Sequence, residues 1–384
     1  MSYNKQYMPF LSFSSRGSDG NKASILFDIG SGSVGGGVLA TGEHAKPLLH
    51  YRTRVPFRFQ KHVEYDRLVK EMAAALLTAA EDVVKNGLRK KANGRSKDIR
   101  AEKILCFFSS PWVASHAEIL RVKRRKPFTV SGNFLGALVA RSEKRLAQAR
   151  EGSAGEMNSL ERRVIRVSLN GYETSRPYGK KARVVELALF ESFLSKEAEA
   201  AAVDVFSRVF HTKEVEFHSF SLASFIAARD LFHGVRDFLL LDITAEVTEI
   251  QLVCDGVPAG SVSFPFGKNT LIRSVAGNLR TIPEEAHTLL RATLQKGGGE
   301  GKISEALSRN EERWLHEFRG ALFKLGEQQA VPTTAFITVD GDVAGWFTRS
   351  LSALSWGVGP SGGIKPRVIA LDEKALQGVY EVGE

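Results

Sequence analysis

Apolar and polar positions along the chain alternate between two periods, and the switches between them mark the elements. Residues 23–40 read as a strand, a tight glycine-rich turn and a second strand, and residues 48–59 alternate well enough for a third. Over 65–84 the apolar positions Leu68, Met72, Leu76, Ala79 and Val83 recur at helical spacing. Residues 86–97 then read as a polar, basic, glycine-containing loop. From 99 onward the pattern predicts strands over 103–109 and 117–122, and a helix over 131–149 with Ser131 as N-cap. Two more strands, 163–169 and 182–190, flank a polar turn that contains Pro177 and Gly179. Helical spacing returns over 197–210 and 223–231.

Residues 238–253, Phe-Leu-Leu-Leu-Asp-Ile-Thr-Ala-Glu-Val-Thr-Glu-Ile-Gln-Leu-Val, predict a second strand-turn-strand, and 258–266 extends that meander. Helices follow over 270–279, 283–294 (with Pro283 at its start) and 303–325, the second and third separated by a glycine-rich loop at 297–301. A strand at 334–339 runs into Asp340-Gly-Asp-Val-Ala-Gly345 and a helix over 346–354. The last thirty residues are rich in glycine and proline, with one strand-like stretch at 367–371, and the first twenty-odd read as a flexible leader.

A chain of 384 residues with 43% hydrophobic and 25% charged positions suits a globular protein of two or three domains. No apolar run approaches the roughly eighteen residues of a spanning helix. The start, Met1 to Phe10, shows no basic stretch followed by an apolar one, so no secretory signal is read there. Cys106 and Cys254 sit inside apolar runs and make no disulfide framework, which gives an intracellular location as the default. None of the nine histidines stands at metal-ligand spacing, which argues against zinc. The net charge of +10 peaks at Arg121-Val-Lys-Arg-Arg-Lys126, which reads as an exposed hairpin edge guarded by cations. Contact with an acidic partner or anionic lipid through the same run is the other reading. Nucleic acid is disfavoured because no stacking aromatics are interleaved with the charge.

Asp28-Ile-Gly-Ser-Gly-Ser-Val-Gly-Gly-Gly-Val38 carries the chemistry. Gly30-x-Gly32-x-x-Gly35 formally fits the dinucleotide fingerprint, but that motif requires a helix next, and Gly-Gly-Val-Leu-Ala favours a strand. The segment is therefore expected to be a hairpin whose tip, Gly30, Ser31, Gly32, Ser33 and Val34, offers backbone N–H groups to a phosphate. Asp28 at the strand end would face the same site and hold a hydrated magnesium ion. A glycine-rich surface hairpin without a ligand is the plainer alternative.

On these residues the sequence resembles the actin and sugar-kinase superfamily, whose first phosphate loop is a strand ending Asp-x-Gly-x-Gly/Ser. The segment 241–249 lies where the second loop belongs, and Phe336-Ile-Thr-Val-Asp-Gly-Asp342 where the adenosine-side element belongs. Within the superfamily the chain resembles the cell-division family FtsA and its relative PilM of type IV pilus machines. The stretches 164–173 and 177–187, the Phe220-Ser-Leu-Ala-Ser224 segment, 260–270 and Pro283-Glu-Glu-Ala286 carry that resemblance.

The resemblance implies an actin-like (ribonuclease H-like) two-lobed α/β ATPase fold with a small inserted α+β subdomain in the first lobe. The expected division is a leader at 1–22, a first lobe at 23–98 and 195–235, an insert at 99–194, a second lobe at 236–355 and a tail at 356–384. It further implies ATP with magnesium, with Asp28 and Asp242 as metal- or water-positioning residues acting through water. Thr244, Ala245, Thr248, Gly341 and Asp342 join the first hairpin as expected nucleotide contacts.

Three departures qualify this. Thr244-Ala245-Glu246 replaces a glycine-rich second loop, Asp340-Gly341-Asp342 keeps one glycine of a pair, and Phe220-Ser221 stands where the family has Glu-Pro. A negative Glu246 would oppose an anionic nucleotide. The sequence thus points to an FtsA-like scaffold at the inner face of the membrane that binds ATP weakly or not at all. Its implied partners are the tubulin-like division protein or further copies of itself. The alternative is a PilM-like cytoplasmic component that holds pilus inner-membrane proteins. A small-molecule kinase would need an acidic base in a substrate cleft, and no candidate stands out.

Overall fold

The structure, a computed structural model, describes residues 22–41, 46–92, 95–150, 155–212, 214–297, 301–327, 329–359, 362–376 and 379–382. The expected leader, apart from Lys22, and the middle of the 297–301 loop lie outside them.

The chain begins with β1 (Lys22–Ile29), β2 (Ser33–Thr41) and β3 (Leu48–Pro56), an antiparallel meander in which Asp28 faces Gly35 and Gly35 faces Arg54. Helix α1 (Tyr65–Asp82) buries Leu68, Met72, Leu76 and Ala79 on one face and ends in a π-helical turn at Val83–Gly87. The basic segment expected to be a loop holds β4 (Arg89–Ala92) and β5 (Arg95–Asp98), paired as a two-stranded hairpin. Strand β6 (Ala101–Phe108) then runs parallel to β1. It was expected to open the inserted unit, but its apolar face completes the first lobe's core, with Ile104, Cys106 and Phe108 packed among Phe27, Met72 and Phe206.

The inserted unit is built on three long strands, β7 (Val113–Thr129), β8 (Met157–Leu169) and β10 (Lys181–Ser195), with α2 (Gly132–Arg150) and the two-residue β9 (Tyr172–Glu173) between them. The sheet order is β7-β10-β8-β9, so β7 is an edge. Arg121, Lys123, Arg124, Arg125 and Lys126 are all exposed on it. Arg124 lies 4.3 Å from the Phe128 ring centroid, a cation–π contact that anchors one of these cations.

The chain returns through α3 (Lys196–Phe210), which packs on α1, and β11 (Glu216–Ser219), parallel to β6. Ser195 and Ser219 cap α3 and α4 (Phe220–Leu231), accepting the N–H groups of Ala198 and Leu222. Buried Glu161 of β8 ties the insert to this return, accepting hydrogen bonds from the hydroxyls of Ser192 (3.0 Å) and Ser219 (2.5 Å).

The second lobe repeats the plan: β12 (Phe238–Ile243), β13 (Thr248–Cys254) and β14 (Val257–Phe264) form a meander. After it come α5 (Lys268–Leu279), α6 (Pro283–Gln295), α7 (Lys302–Gly326), β15 (Thr334–Val339) and α8 (Gly341–Ala353). The tail adds a small hairpin, β16 (Trp356–Gly359) with β17 (Gly362–Ile364), then β18 (Arg367–Ala370) and β19 (Glu381–Val382). The two large sheets run β11-β6-β1-β2-β3-β19 and β14-β13-β12-β15-β18. Tail strands thus extend both, since β18 borders β15 and β19 borders β3. Each sheet has a central strand, β1 or β12, ending in an aspartate beside a hairpin turn.

Trp314 of α7 holds the second core. It is fully buried, stacks on Phe318, meets Phe347 edge-on and donates its indole N–H to Thr248 Oγ1 at 3.2 Å. Trp314→Ala is expected to lower the unfolding free energy by about 3–5 kcal/mol, read by urea denaturation. A loss below about 1 kcal/mol would show that this core is not built on the indole.

Candidate functional site

The first hairpin turns tightly, Gly30 N–H donating to Ser33 C=O at 3.1 Å. Past it the chain runs as strand β2, so the dinucleotide-helix reading is excluded by geometry. Arg54 of β3 lies directly across Gly35 in register, and a Cβ on Gly35 would come within 3.0 Å of its Nη2. With glycine there, the guanidinium lies flat over the hairpin, Nη2 donating to Asp28 Oδ2 (2.7 Å) and Nη1 to Ser33 Oγ (2.8 Å).

The tip of the second hairpin meets the tip of the first. Ser31 is fully buried; its hydroxyl donates to Thr244 Oγ1 at 2.8 Å and accepts the Glu246 N–H at 2.8 Å. Gly32 is required by this approach, since a Cβ on it would sit 2.3 Å from the Ala245 Cβ. Gly267, the N-cap of α5, is equally close: its Cβ would fall 2.3 Å from Thr244 O.

Glu246 does not face the cleft as a free charge. It is buried and accepts hydrogen bonds from Asn269 Nδ2 (2.7 Å), Arg273 Nη1 (3.1 Å) and Arg273 Nη2 (2.5 Å). The electrostatic opposition expected of it is therefore cancelled locally by α5.

Asp242 ends β12 as Asp28 ends β1, and in the β12–β13 register it stands directly opposite Glu249. Thr338 Oγ1 donates to Asp242 Oδ1 at 2.9 Å, and Ser110 Oγ donates to Glu249 Oε2 at 2.7 Å. Among the described residues Glu249 Oε1 has no hydrogen-bond partner. Burial, with the neighbouring Glu249 charge adding, pushes the Asp242 carboxyl up to about 7. Burial raises Glu249 as well.

The third wall comes from β15 and the start of α8. Lys268 Nζ bridges Asp340 Oδ2 (3.1 Å) and Asp342 Oδ2 (2.7 Å), and His287 Nε2 reaches Asp342 Oδ2 at 2.8 Å. These walls enclose an open cavity of about 830 Å³.

Of the residues singled out from sequence, Asp28, Gly30, Ser31, Gly32, Ser33, Asp242, Thr244 and Ala245 line this cavity. Four others do not. Val34 is buried in the first core. Thr248 is buried too, donating to Phe266 C=O at 2.7 Å and accepting from Trp314. Gly341 and Asp342 lie in the first turn of α8, with Asp342 turned to Lys268 and His287. Sequence reasoning missed Arg54, Lys268, His287 and Glu249, and read Asp340 only as part of the adenosine-side element. Only Glu249 had a signal: a strand-turn-strand with Asp242 at one end sets its partner by counting back through the turn.

The residues present offer a magnesium ion little direct ligation: Arg54 holds Asp28 Oδ2 and leaves Oδ1, and the described residues contain no group of three or more His, Cys, Asp or Glu side chains that could hold a metal, so such an ion would rest on water and the ligand's own phosphates. A nucleotide fits in part. The first hairpin, Arg54 and Lys268 offer donors to a phosphate tail, while the second hairpin's Glu246 N–H is taken by Ser31.

Because the Asp242 carboxyl titrates at about 7 when folded against 3.8 ordinarily, the folded state keeps a proton that the unfolded chain releases. This group therefore lowers stability progressively as pH rises through that window, and the loss is complete above it. Asp242→Asn removes the effect. Its stability relative to the parent is expected to be higher at pH 8 than at pH 5, read by urea denaturation. A difference independent of pH would contradict the assignment.

No protein-family model matches the sequence, and no curated protein matches it. Solved structures do match. A chain of the PilM-PilN type IV pilus biogenesis complex is 14% identical with a TM-score of 0.54, the match covering 94% of this chain and 90% of that one. The ethanolamine utilization protein EutJ from Carboxydothermus hydrogenoformans is 12% identical (TM-score 0.44, 92% and 86% covered). A non-polymerising MamK mutant bound to AMPPNP is 10% identical (TM-score 0.38, 94% and 97% covered). Two sheets ending in paired Asp-bearing hairpins, an inserted α+β unit and this whole-chain match have one description: the chain has the actin-like ATPase fold.

Proposed function

We propose that this chain is a non-hydrolysing actin-fold scaffold, one that holds protein partners in a PilM-like assembly at the inner face of a membrane. In this reading ATP binds weakly, as a structural ligand rather than a fuel. One observation carries it: the tips of the two phosphate hairpins bind each other. The Ser31 hydroxyl occupies the amide at the second tip, and the Ala245 side chain fills the space over Gly32. Hydrolysis needs both tips free to grip the transferred phosphoryl group and a residue to orient water. At the start of α4, where the resemblance would put an acid, Phe220 lines the cleft instead.

The whole-chain similarity to PilM of a PilM–PilN complex favours a pilus- or secretion-type partner over the division role that the sequence motifs suggest first. No helix among the described residues is long and apolar enough to cross a membrane. Membrane contact in this reading runs through a membrane-bound partner, with the basic edge of β7 as the surface suited to anionic lipid.

Purified protein is expected to release no phosphate from ATP above background. Turnover that disappears in Asp242→Asn would overturn the scaffold reading, because that carboxylate is the one group of the second hairpin placed to act as a base. Pull-down with the tagged chain is expected to recover pilus- or secretion-type inner-membrane proteins. Recovery of the tubulin-like division protein would favour the FtsA-like role instead.

A further inference from the structure

We infer that the far end of the inserted unit binds anionic bilayers directly, through a cluster of exposed cations and two exposed tyrosines. This rests on the placement at a membrane proposed above and goes beyond it, because there the contact runs through a partner protein.

The chain enters the insert at Val113 and leaves it at Ser195, with Leu194 paired to Val113 at this joint. Strand β10 runs 15 residues, so its start lies roughly 45 Å from the joint, beside the end of β7. There the two strands fall out of step. Val184 pairs with Lys123 and Ala182 with Phe128, so residues 124–127 of β7 stand opposite Arg183 alone. Around this bulge Lys123, Arg124, Arg125 and Lys126 are all exposed, although a regular strand sends alternate side chains to opposite faces. The turn from β9 into β10 brings Arg176, Lys180, Lys181 and Arg183 to the same end, also exposed. The backbone under them is fixed. Gly179 N–H donates to Val130 C=O and Val130 N–H to Lys180 C=O, both at 2.9 Å. Asn170 Oδ1 accepts the N–H groups of Arg183 (2.8 Å) and Val184 (3.0 Å).

This positive charge is not cancelled within the fold. Among the described residues Arg121 pairs with Glu186 at 3.2 Å, and none of the cations just named has a carboxylate partner. Arg124 lies over Phe128, and Lys180 Nζ donates to Thr174 Oγ1 at 2.9 Å, contacts that leave both charges in place. Residues 121–131 hold no acid, and 170–185 hold only Glu173, which lines a separate cavity with Arg229 and Arg236. Tyrosine adds a second component. Tyr172 is 79% exposed and Tyr178 42%. A Cβ on Gly132 would lie 3.8 Å from Tyr178 Cε1, so that ring rests on the start of α2. Cations attract anionic headgroups, and a tyrosine ring settles at headgroup depth with its hydroxyl in water. A partner strand could not extend this edge, because the bulge and Pro127 interrupt its row of N–H donors. The charge lies on strands and turns rather than along a helix that could enter a nucleic-acid groove.

The test is flotation of the full-length chain with vesicles of equal parts phosphatidylcholine and phosphatidylglycerol, against vesicles of phosphatidylcholine alone. Binding is expected only to the anionic vesicles, and it is expected to fall steeply as salt is raised. Lys123→Ser, Arg125→Ser and Lys126→Ser combined are expected to weaken it on the order of a hundredfold, at about fivefold per cation. The same loss of charge at three exposed positions of the second lobe, Arg291→Ser, Lys296→Ser and Lys302→Ser, is expected to leave it within about twofold. Tyr172→Ser is expected to weaken binding severalfold, by a factor that does not change with salt. No flotation with anionic vesicles, or equal flotation with both kinds, would overturn the inference. Parent-like binding by the 123/125/126 variant or by Tyr172→Ser would overturn it too. Tighter binding of a single-stranded oligonucleotide than of the vesicles, lost in the same triple variant, would assign the surface to nucleic acid instead. If the triple variant does not fold by circular dichroism, the parent's lipid and salt dependence decides. The scaffold reading stands in each of these cases, since ATP turnover and partner recovery decide it.

Discussion

The Ser31 hydroxyl sits where two sheets of different lobes come to a point. It gives its hydrogen to Thr244 and takes one from the Glu246 amide, and it is completely removed from solvent. Leaving a buried hydroxyl or amide without a partner costs about 1–3 kcal/mol each, so separating the tips without water or a ligand to replace these bonds is unfavourable. The contact also requires small neighbours. Gly32 has no side chain because the Ala245 methyl occupies the space one would fill, and Gly267 has none because the backbone of the second tip passes through it. Ser110, reaching from the end of the first sheet to Glu249, adds a second bond across the same seam. The facing positions of the two hairpin tips, and so of two walls of the cavity, follow from this seam.

Local patterns revealed most of the elements. Helices α1, α3, α6 and α7 follow their apolar spacing, and both aspartate-bearing hairpins stand where strand-turn-strand patterns placed them. Three kinds of element were read short or misplaced. Strands β7, β8 and β10 are 17, 13 and 15 residues long, well beyond the segments that alternation marked. On β7, which is an edge, charged side chains interrupt the alternation without interrupting the strand. Helix α8 begins at Gly341, because an Asp-Gly-Asp run that looks like a loop is also a good first turn. Strand β6 joined the first sheet rather than the insert, since parallel pairing joins segments distant in sequence and leaves no local mark.

The cleft was legible only where its chemistry is local. Glycines after an aspartate announce a phosphate hairpin, and Asp28, Gly30 and Gly32 are where that motif puts them. Arg54 is 26 residues from Asp28 and meets it through a β2–β3 register that shifts between Val38 and Leu39, where Tyr51 and then Leu49 are the partners. No spacing rule reports such a register. Val34 and Thr248 were assigned to the cleft by being near it in sequence, yet strand side chains alternate between faces, and both fall on the core side. Lys268 and His287 come from two different helices and converge on Asp342 only in three dimensions.

The departures from the phosphate-loop pattern are more informative as a set than singly. Thr244 has Ser31, Ala245 has the space over Gly32, Glu246 has Arg273 and Asn269, and Asp342 has Lys268 and His287. Simple loss of a nucleotide site would be expected to leave some of these side chains stranded, and a stranded carboxylate at the burial of Glu246 is strongly destabilising. Here each substituted side chain completes a contact across the seam or onto a neighbouring helix. Thr244 and Ala245, which narrow the approach to phosphate, thus also fasten the lobes to one another, while Glu246 and Asp342 are held within the second lobe. On the proposed scaffold function, a lobe-to-lobe joint held by protein bonds suits a docking platform better than a motor-like ATPase, whose lobes must move past one another.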